Sequence, residues 1–368
     1  MRRLLAAASL VTLAACDLPT DPAAEAAGIA LPIDLGTQVL TRDNIWELRW
    51  AASGTLFLES TFAPSGSRIE AVQLNPSHTD VVAISSTDQF DYLWPSASGA
   101  VVYVVSSALR SETRTAFALT VSDGSARTLT SSPGYGLGNA NMEGYPLVPS
   151  PDDARVASVA LPDSLSIWTL ATGQLRTLTT GCNGVVAWSP SGDKILCAVR
   201  TGGDPYLAYA LVSVADGSSQ ALALPPDVQR FAKSFQWDAQ GIHVLSLPYA
   251  AVWMYDVTAQ RTTIIQAAPT SLDGAYPDYE HSTWSRDGTR FAFWTTQCLG
   301  GVTLTTCTAP QSVLWIYDLP SRALRRTAVA GAGRLGDVVL SADGSRVAFV
   351  IGTSLTSYVL YVKAVPVQ

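Results

Sequence analysis

The chain is short of the residues on which most catalytic and nucleic-acid chemistry depends. It has three histidines in 368 residues, His78, His243 and His281. That argues against a metal centre built from several imidazoles. No Gly-x-Ser-x-Gly elbow occurs, so a serine nucleophile on a strand-to-helix turn is excluded. Charged residues make up only 14%, and 23 basic side chains face 30 acidic ones, a net charge of −7. Nucleic acid needs a basic face, which is missing. The run Leu4 to Ala15 is apolar but too short to cross a bilayer.

That run follows Arg2 and Arg3 and ends at Leu13-Ala14-Ala15-Cys16. A basic start, a short apolar stretch and small residues before the cut make a signal peptide over residues 1–15. The last four residues resemble the bacterial lipobox, which implies Cys16 as the lipidated N-terminus of the mature chain. Loss of Arg2 and Arg3 with the leader takes the net charge from −7 to −9. Residues 16–28 (CDLPTDPAAEAAG) combine small residues, two prolines and acids without a strand pattern, as in a flexible tether. Residues 29–368 remain for the folded domain, and 48% hydrophobic content over the chain is ample for a core.

The domain is a repeat. Seven segments align on Trp284-Ser-Arg-Asp-Gly-Thr-Arg-Phe-Ala-Phe-Trp294, and their anchors are Trp50, Trp94, Pro149, Trp188, Trp237, Trp284 and Leu340. The span of 290 residues over six intervals gives a period of about 48, within the range of propeller blades. Each segment reads as strand, turn, strand, with Gly192, Gly288 and Gly344 supplying positive φ. A second unit follows, as in Leu314-Trp-Ile-Tyr-Asp-Leu319, giving two hairpins and so four strands per repeat. The fold class expected is all-β, a seven-bladed β-propeller of four-stranded antiparallel blades. The last repeat stops after Ser357–Lys363, its third strand, while Leu31–Thr41 looks like an orphan fourth strand. Pairing of the two would close the ring and remove an open edge.

Trp-Ser-x-Asp-Gly-x-Arg followed by hydrophobic-Ala-Phe, and then hydrophobic-Trp-hydrophobic-Tyr-Asp-Leu, resembles the WD40-like repeat of the TolB-like family. The resemblance covers about residues 30–365. It departs from TolB in having seven blades rather than six and no room for an N-terminal α/β domain, so TolB's role is not carried across. Ser-Arg-Asp-Gly-Thr is not a sialidase Asp-box, which has a residue between its Asp and Gly.

Candidate functional residues come from the loops entering the innermost strands, which lie on one face at the channel mouth. Three positions before their anchors stand Glu47, Asp91, His281 and Asp337, on four blades that are neighbours in a closed ring. They form either an acidic, cation- or amine-binding patch or ordinary solvated loop charge. Arg230 and Lys233 fall near the same face. The long connections Ser131–Leu147 and Ala267–Thr283 add Tyr135, Tyr145, Tyr276 and Tyr279, as binding loops or as simple filling. Most of the ten tryptophans fall at equivalent repeat positions and read as blade packing, with a carbohydrate platform as the alternative. Cys298 and Cys307 flank an insertion that a disulfide would clamp, and Cys182 and Cys197 flank a hairpin they could bridge.

The functional expectation is a monomeric, membrane-anchored module that binds an envelope protein or peptide, on the extracytoplasmic side, without cofactor, metal or nucleic acid. A glycan-directed propeller enzyme and a purely structural envelope component are the other two readings.

Overall fold

A computed structural model describes residues 35–365, apart from 63–65, 75–76, 86–87, 109–112, 134–146, 162–163, 201–206, 227–231, 239–240, 247–250, 268–275, 299–309, 331–333 and 354–355. Seven four-stranded antiparallel blades form a ring. The chain enters with β1 (Thr37–Asp43). Blade one is β2 (Ile45–Trp50), β3 (Leu56–Phe62), β4 (Gly66–Leu74) and β5 (Ser77–Ser85). Blade two is β6 (Asp88–Pro95), β7 (Val101–Ala108), β8 (Thr113–Thr120) and β9 (Ala126–Pro133). Blade three is β10 (Val148–Pro149), β11 (Arg155–Leu161), β12 (Ser164–Thr169) and β13 (Gln174–Thr179). Blade four is β14 (Cys182–Trp188), β15 (Lys194–Arg200), β16 (Leu207–Ser213) and β17 (Ser219–Ala221). Blade five is β18 (Ala232–Trp237), β19 (Ile242–Ser246), β20 (Ala251–Asp256) and β21 (Arg261–Ala267). Blade six is β22 (Tyr276–Trp284), β23 (Arg290–Cys298), β24 (Pro310–Asp318) and β25 (Ala323–Ala330). Blade seven is β26 (Arg334–Leu340), β27 (Arg346–Gly352) and β28 (Ser357–Ala364), completed by β1.

The expected closure is therefore present. β1 pairs antiparallel with β28, from Thr37 opposite Val362 to Asp43 opposite Ser357. Arg42 on β1 then reaches into blade one. Its Nε and Nη2 donate to the two carboxylate oxygens of Glu70 on β4, both at 2.8 Å, and Glu70 is 1% exposed. A two-pronged guanidinium–carboxylate bond fixes orientation as well as distance.

The core lies between blades rather than within one. Leu48, Leu56 and Leu58 of blade one pack against Val339, Ala348, Val350 and Leu360 of blade seven. The opposite face of blade one sets Phe57, Ile69 and Ala71 against Phe90, Leu93 and Val104 of blade two. A middle strand is thus covered on both sides, which explains the unbroken apolar run of β27, buried from Val347 to Gly352. Phe349, fully buried, stands edge-on to Trp294 of blade six at 5.6 Å. Burial of one such ring stabilises the fold by about 2 kcal/mol.

The repeated turns form a belt around the other face of the ring. In blade six, Asp287 accepts the Thr289 amide and the Ser285 hydroxyl, and Gly288 holds φ 70°. Arg290, two residues on, bonds Asp318 within its own blade and donates to the Gly344 carbonyl in the turn of blade seven. Arg155 does the same to the Gly192 carbonyl of blade four and lies 5.0 Å over the Trp188 ring. Side-chain space explains the glycine as much as φ does: a Cβ at Gly344 would come within 2.9 Å of Arg290 Cδ. The Ser, Asp, Gly and Arg of the repeat thus build turns and tie each to its neighbour.

Cys182 and Cys197 are bonded across β14 and β15, with both residues fully buried. Cys298 ends β23, and Cys307 lies outside the described residues, as does Cys16.

Candidate functional site

Each innermost strand has one edge in its sheet and one turned to the ring axis. Amides on the free edge need acceptors, because a buried unpaired N–H is costly. At two neighbouring seams the acceptor is a carboxylate from the preceding blade. Asp337 on β26 accepts the Leu48 amide of β2 at 2.9 Å, and Glu47 on β2 accepts the Leu93 amide of β6 at 2.7 Å. Leu48 and Leu93 occupy the same repeat position, as do Asp337 and Glu47.

Arg49 stands between the two acids. Its Nη2 is 2.6 Å from Glu47 Oε1, and its Nη1 is 3.5 Å from Asp337 Oδ2. Nη1 also donates to the Leu48 carbonyl at 2.8 Å, and the guanidinium lies 5.6 Å from the Trp94 ring centre. The side chain of Glu47 is 13% exposed. Burial pushes its carboxyl up to about 7, against the pull of Arg49, with Asp337 adding to the rise and the Leu93 amide opposing it. Three blades are joined here by one cation, two carboxylates and two amides.

The structure brings Glu47 and Asp337 together as the spacing suggested, but not as an open acidic patch. Arg49 was missed, although period-2 alternation sets it on the same face of β2 as Glu47. Asp91 is out of phase. Gly54 donates to the carbonyl of Ala51 and Gly99 to that of Ser96, so Trp50 is matched by Pro95, not Trp94. Tyr92 therefore holds the position of Glu47 in blade two. Asp91 falls at a bulge between Phe90 and Tyr92.

Tyr276, Tyr279 and His281 belong to a strand rather than a loop. Tyr276, Pro277 and Asp278 pair with the long β23, and the ladder resumes only at Thr283. Tyr279 and His281 lie in the excursion between, a wide break in the innermost strand of blade six. Lys233 sits at the matching bulge of β18, between Ala232 and Ser234. For Asp91, Lys233, Tyr276, Tyr279 and His281 the described atoms are those of the backbone. Arg230, Tyr135 and Tyr145 lie outside the described residues.

Bulges re-aim side chains, and one of them does so visibly. The β2 ladder shifts between Ile45 and Glu47, and Trp46 at the shift is 56% exposed. Its indole N–H donates to Thr61 Oγ1 at 3.2 Å, which fixes the ring. Trp46 lies outside the repeated tryptophan positions, and that irregularity was its signal in the sequence.

The other described histidine of interest is structural. His243, 3% exposed, bonds Asp238 at 2.7 Å and packs on Trp284 of the next blade at 5.5 Å. No group of three or more metal-ligating side chains occurs among the described residues.

With this geometry in hand, comparison with solved structures places the architecture. The chain is similar to the C-terminal WD40 domain of Sif2, at a TM-score of 0.52, over 91% of this chain and 99% of that one. At 13% identity the likeness is one of fold: a WD40-like, seven-bladed β-propeller. No family model matches the sequence, and no curated protein does.

Proposed function

We propose that the chain is a lipid-anchored, TolB-like propeller of the bacterial cell envelope, which binds another envelope protein or peptide. Contact is made on the face where the chain enters the innermost strands and where the second and third strands of each blade join. The observation that carries the reading is Trp46. It stands on that face at 56% exposure, its polar atom already bonded, its ring free to cover an apolar partner surface. A rigid propeller with a fixed aromatic on its loop face suits recognition, and propellers of this architecture serve widely as protein-binding scaffolds. Glu47 and Asp337 are bonded to Arg49 and to backbone amides across the seams, which favours binding over glycan hydrolysis. The anchor rests on Leu13–Cys16, and the TolB-like character on the recurring Trp-Ser-x-Asp-Gly-x-Arg pattern.

A photocrosslinking amino acid at position 46 of the full chain, irradiated in growing cells, tests contact. One discrete cross-linked envelope protein is expected, and it should disappear when the crosslinker is moved to position 172 on the opposite face. An identical pattern from both positions overturns the reading. Fractionation of Cys16→Ala tests the anchor: release from the membrane is expected, and undiminished membrane association rejects it.

A further inference from the structure

The cluster at the seam of blades seven, one and two sets the Arg49 guanidinium between two carboxylates. Arg49 reaches Glu47 at 2.6 Å and Asp337 at 3.5 Å. Each acid also holds one amide of the following blade, Leu93 for Glu47 and Leu48 for Asp337. We propose that Glu47 is a proton-operated latch in the ring. As a carboxylate it holds Arg49 and the innermost strand of blade two. On taking up a proton it hands Arg49 to Asp337, so the bond between blades one and two loosens while that between blades seven and one persists.

The surroundings favour the swap. Protonation removes the charge that makes the bond to Leu93 strong and ends the attraction to Arg49. Asp337, 19% exposed, is already in reach of the freed guanidinium. Directly opposite Glu47 in the ladder lies Glu59 of β3, 1% exposed, a second acid on the same face. Strand β6 carries Asp88, Asp91 and Tyr92 beside Leu93. β27, which also packs on β2, brings only Arg346, at its exposed start. β26 also carries Arg334, at its start, and of the charges around the carboxyl Arg49 favours its ionisation while Asp337 resists it. Burial acts in the same direction as Asp337 and sets the carboxyl at about 7, where ordinary environments shift its protonation.

The test is a carbon-13 titration of the Glu47 carboxyl in the full chain, with amide exchange at Leu93 and Leu48. A midpoint near 7 is expected. Between about pH 8 and about pH 6, Leu93 exchange corrected for its intrinsic rate should rise severalfold, and Leu48 exchange should stay level. In Glu47→Gln the amide oxygen accepts at every pH, so the Leu93 response should vanish. Asp337→Asn removes a charge that raises the carboxyl and should lower the midpoint; it also identifies the resonance if Glu47→Gln does not fold. A midpoint in the ordinary glutamate range, or equal Leu93 protection at both pH values in the wild type, overturns the proposal.

Discussion

Glu47 shows how one side chain sets a pH profile for the whole fold. Its carboxyl lies at about 7 in the folded chain against 4.5 when free of its surroundings. Between those values the folded state holds a proton that the unfolded state has lost. Stability therefore falls as pH rises through that window, by on the order of 3 kcal/mol in total. Denaturant unfolding at the two ends of the window should show this loss in the wild type and a flat response in Glu47→Gln. Asp343 runs the opposite way: the Ser345 amide, with the Ser341 and Ser345 hydroxyls, lowers it to about 2. Its contribution is present above its free value and disappears as pH falls toward 2. At the same scale, Trp46→Ala should leave the unfolding free energy within about 0.5 kcal/mol of wild type in a denaturant titration, because an exposed ring with one weak bond adds little to the fold. Glu47 and Asp337 could be found by counting back from the repeat anchors. Arg49 was equally legible from strand alternation. Asp91 was misread because the Trp94 segment carries one extra residue before its turn glycine, and a one-residue slip moves a strand position to the other face.

Among the elements, the hairpin of β14 and β15 and the closing strand β1 are held by different means. The Cys182–Cys197 bond closes a loop of 15 residues, for which the chain-entropy account gives about 3 kcal/mol. The double Cys→Ala variant should lose about that much, and the effect of reductant on the urea midpoint should be smaller by that amount in the variant than in the wild type. β1, paired along β28, is tied to blade one by the Arg42–Glu70 pair. Arg42→Met leaves Glu70 buried and unpaired, at a cost of about 3 kcal/mol. Adding Glu70→Gln should recover most of the loss, and a double-mutant cycle in denaturant checks it. Element type and order were readable because each strand pair repeats the same turn chemistry. What the repeat could not reveal was the run from Tyr276 to Thr283. Its tyrosines and proline read as loop, yet the nine residues of β23 offer it a pairing partner. Long-range pairing overrides local propensity there.

For the molecule as a whole, the blade count was legible from the period and the closure from a missing fourth strand, since both follow from a structure that repeats. The proposed contact surface was not, because it rests on a residue that breaks the pattern. Trp46 is the visible instance. Removal of residues 37–43 should open the ring at the β28 edge and turn a monodisperse protein into one that self-associates, as light scattering would report.

Asp43 pairs with Ser357, 314 positions away. At translation speeds of roughly 5–20 residues per second, β1 leaves the ribosome some tens of seconds before its partner exists. Its sequence suits that wait: Thr37, Gln38, Thr41, Arg42 and Asp43 make it a polar strand with little to offer a wrong neighbour. The step that finishes the ring is thus the last to become possible, and it is made by a strand as polar as β13, the outermost strand of blade three.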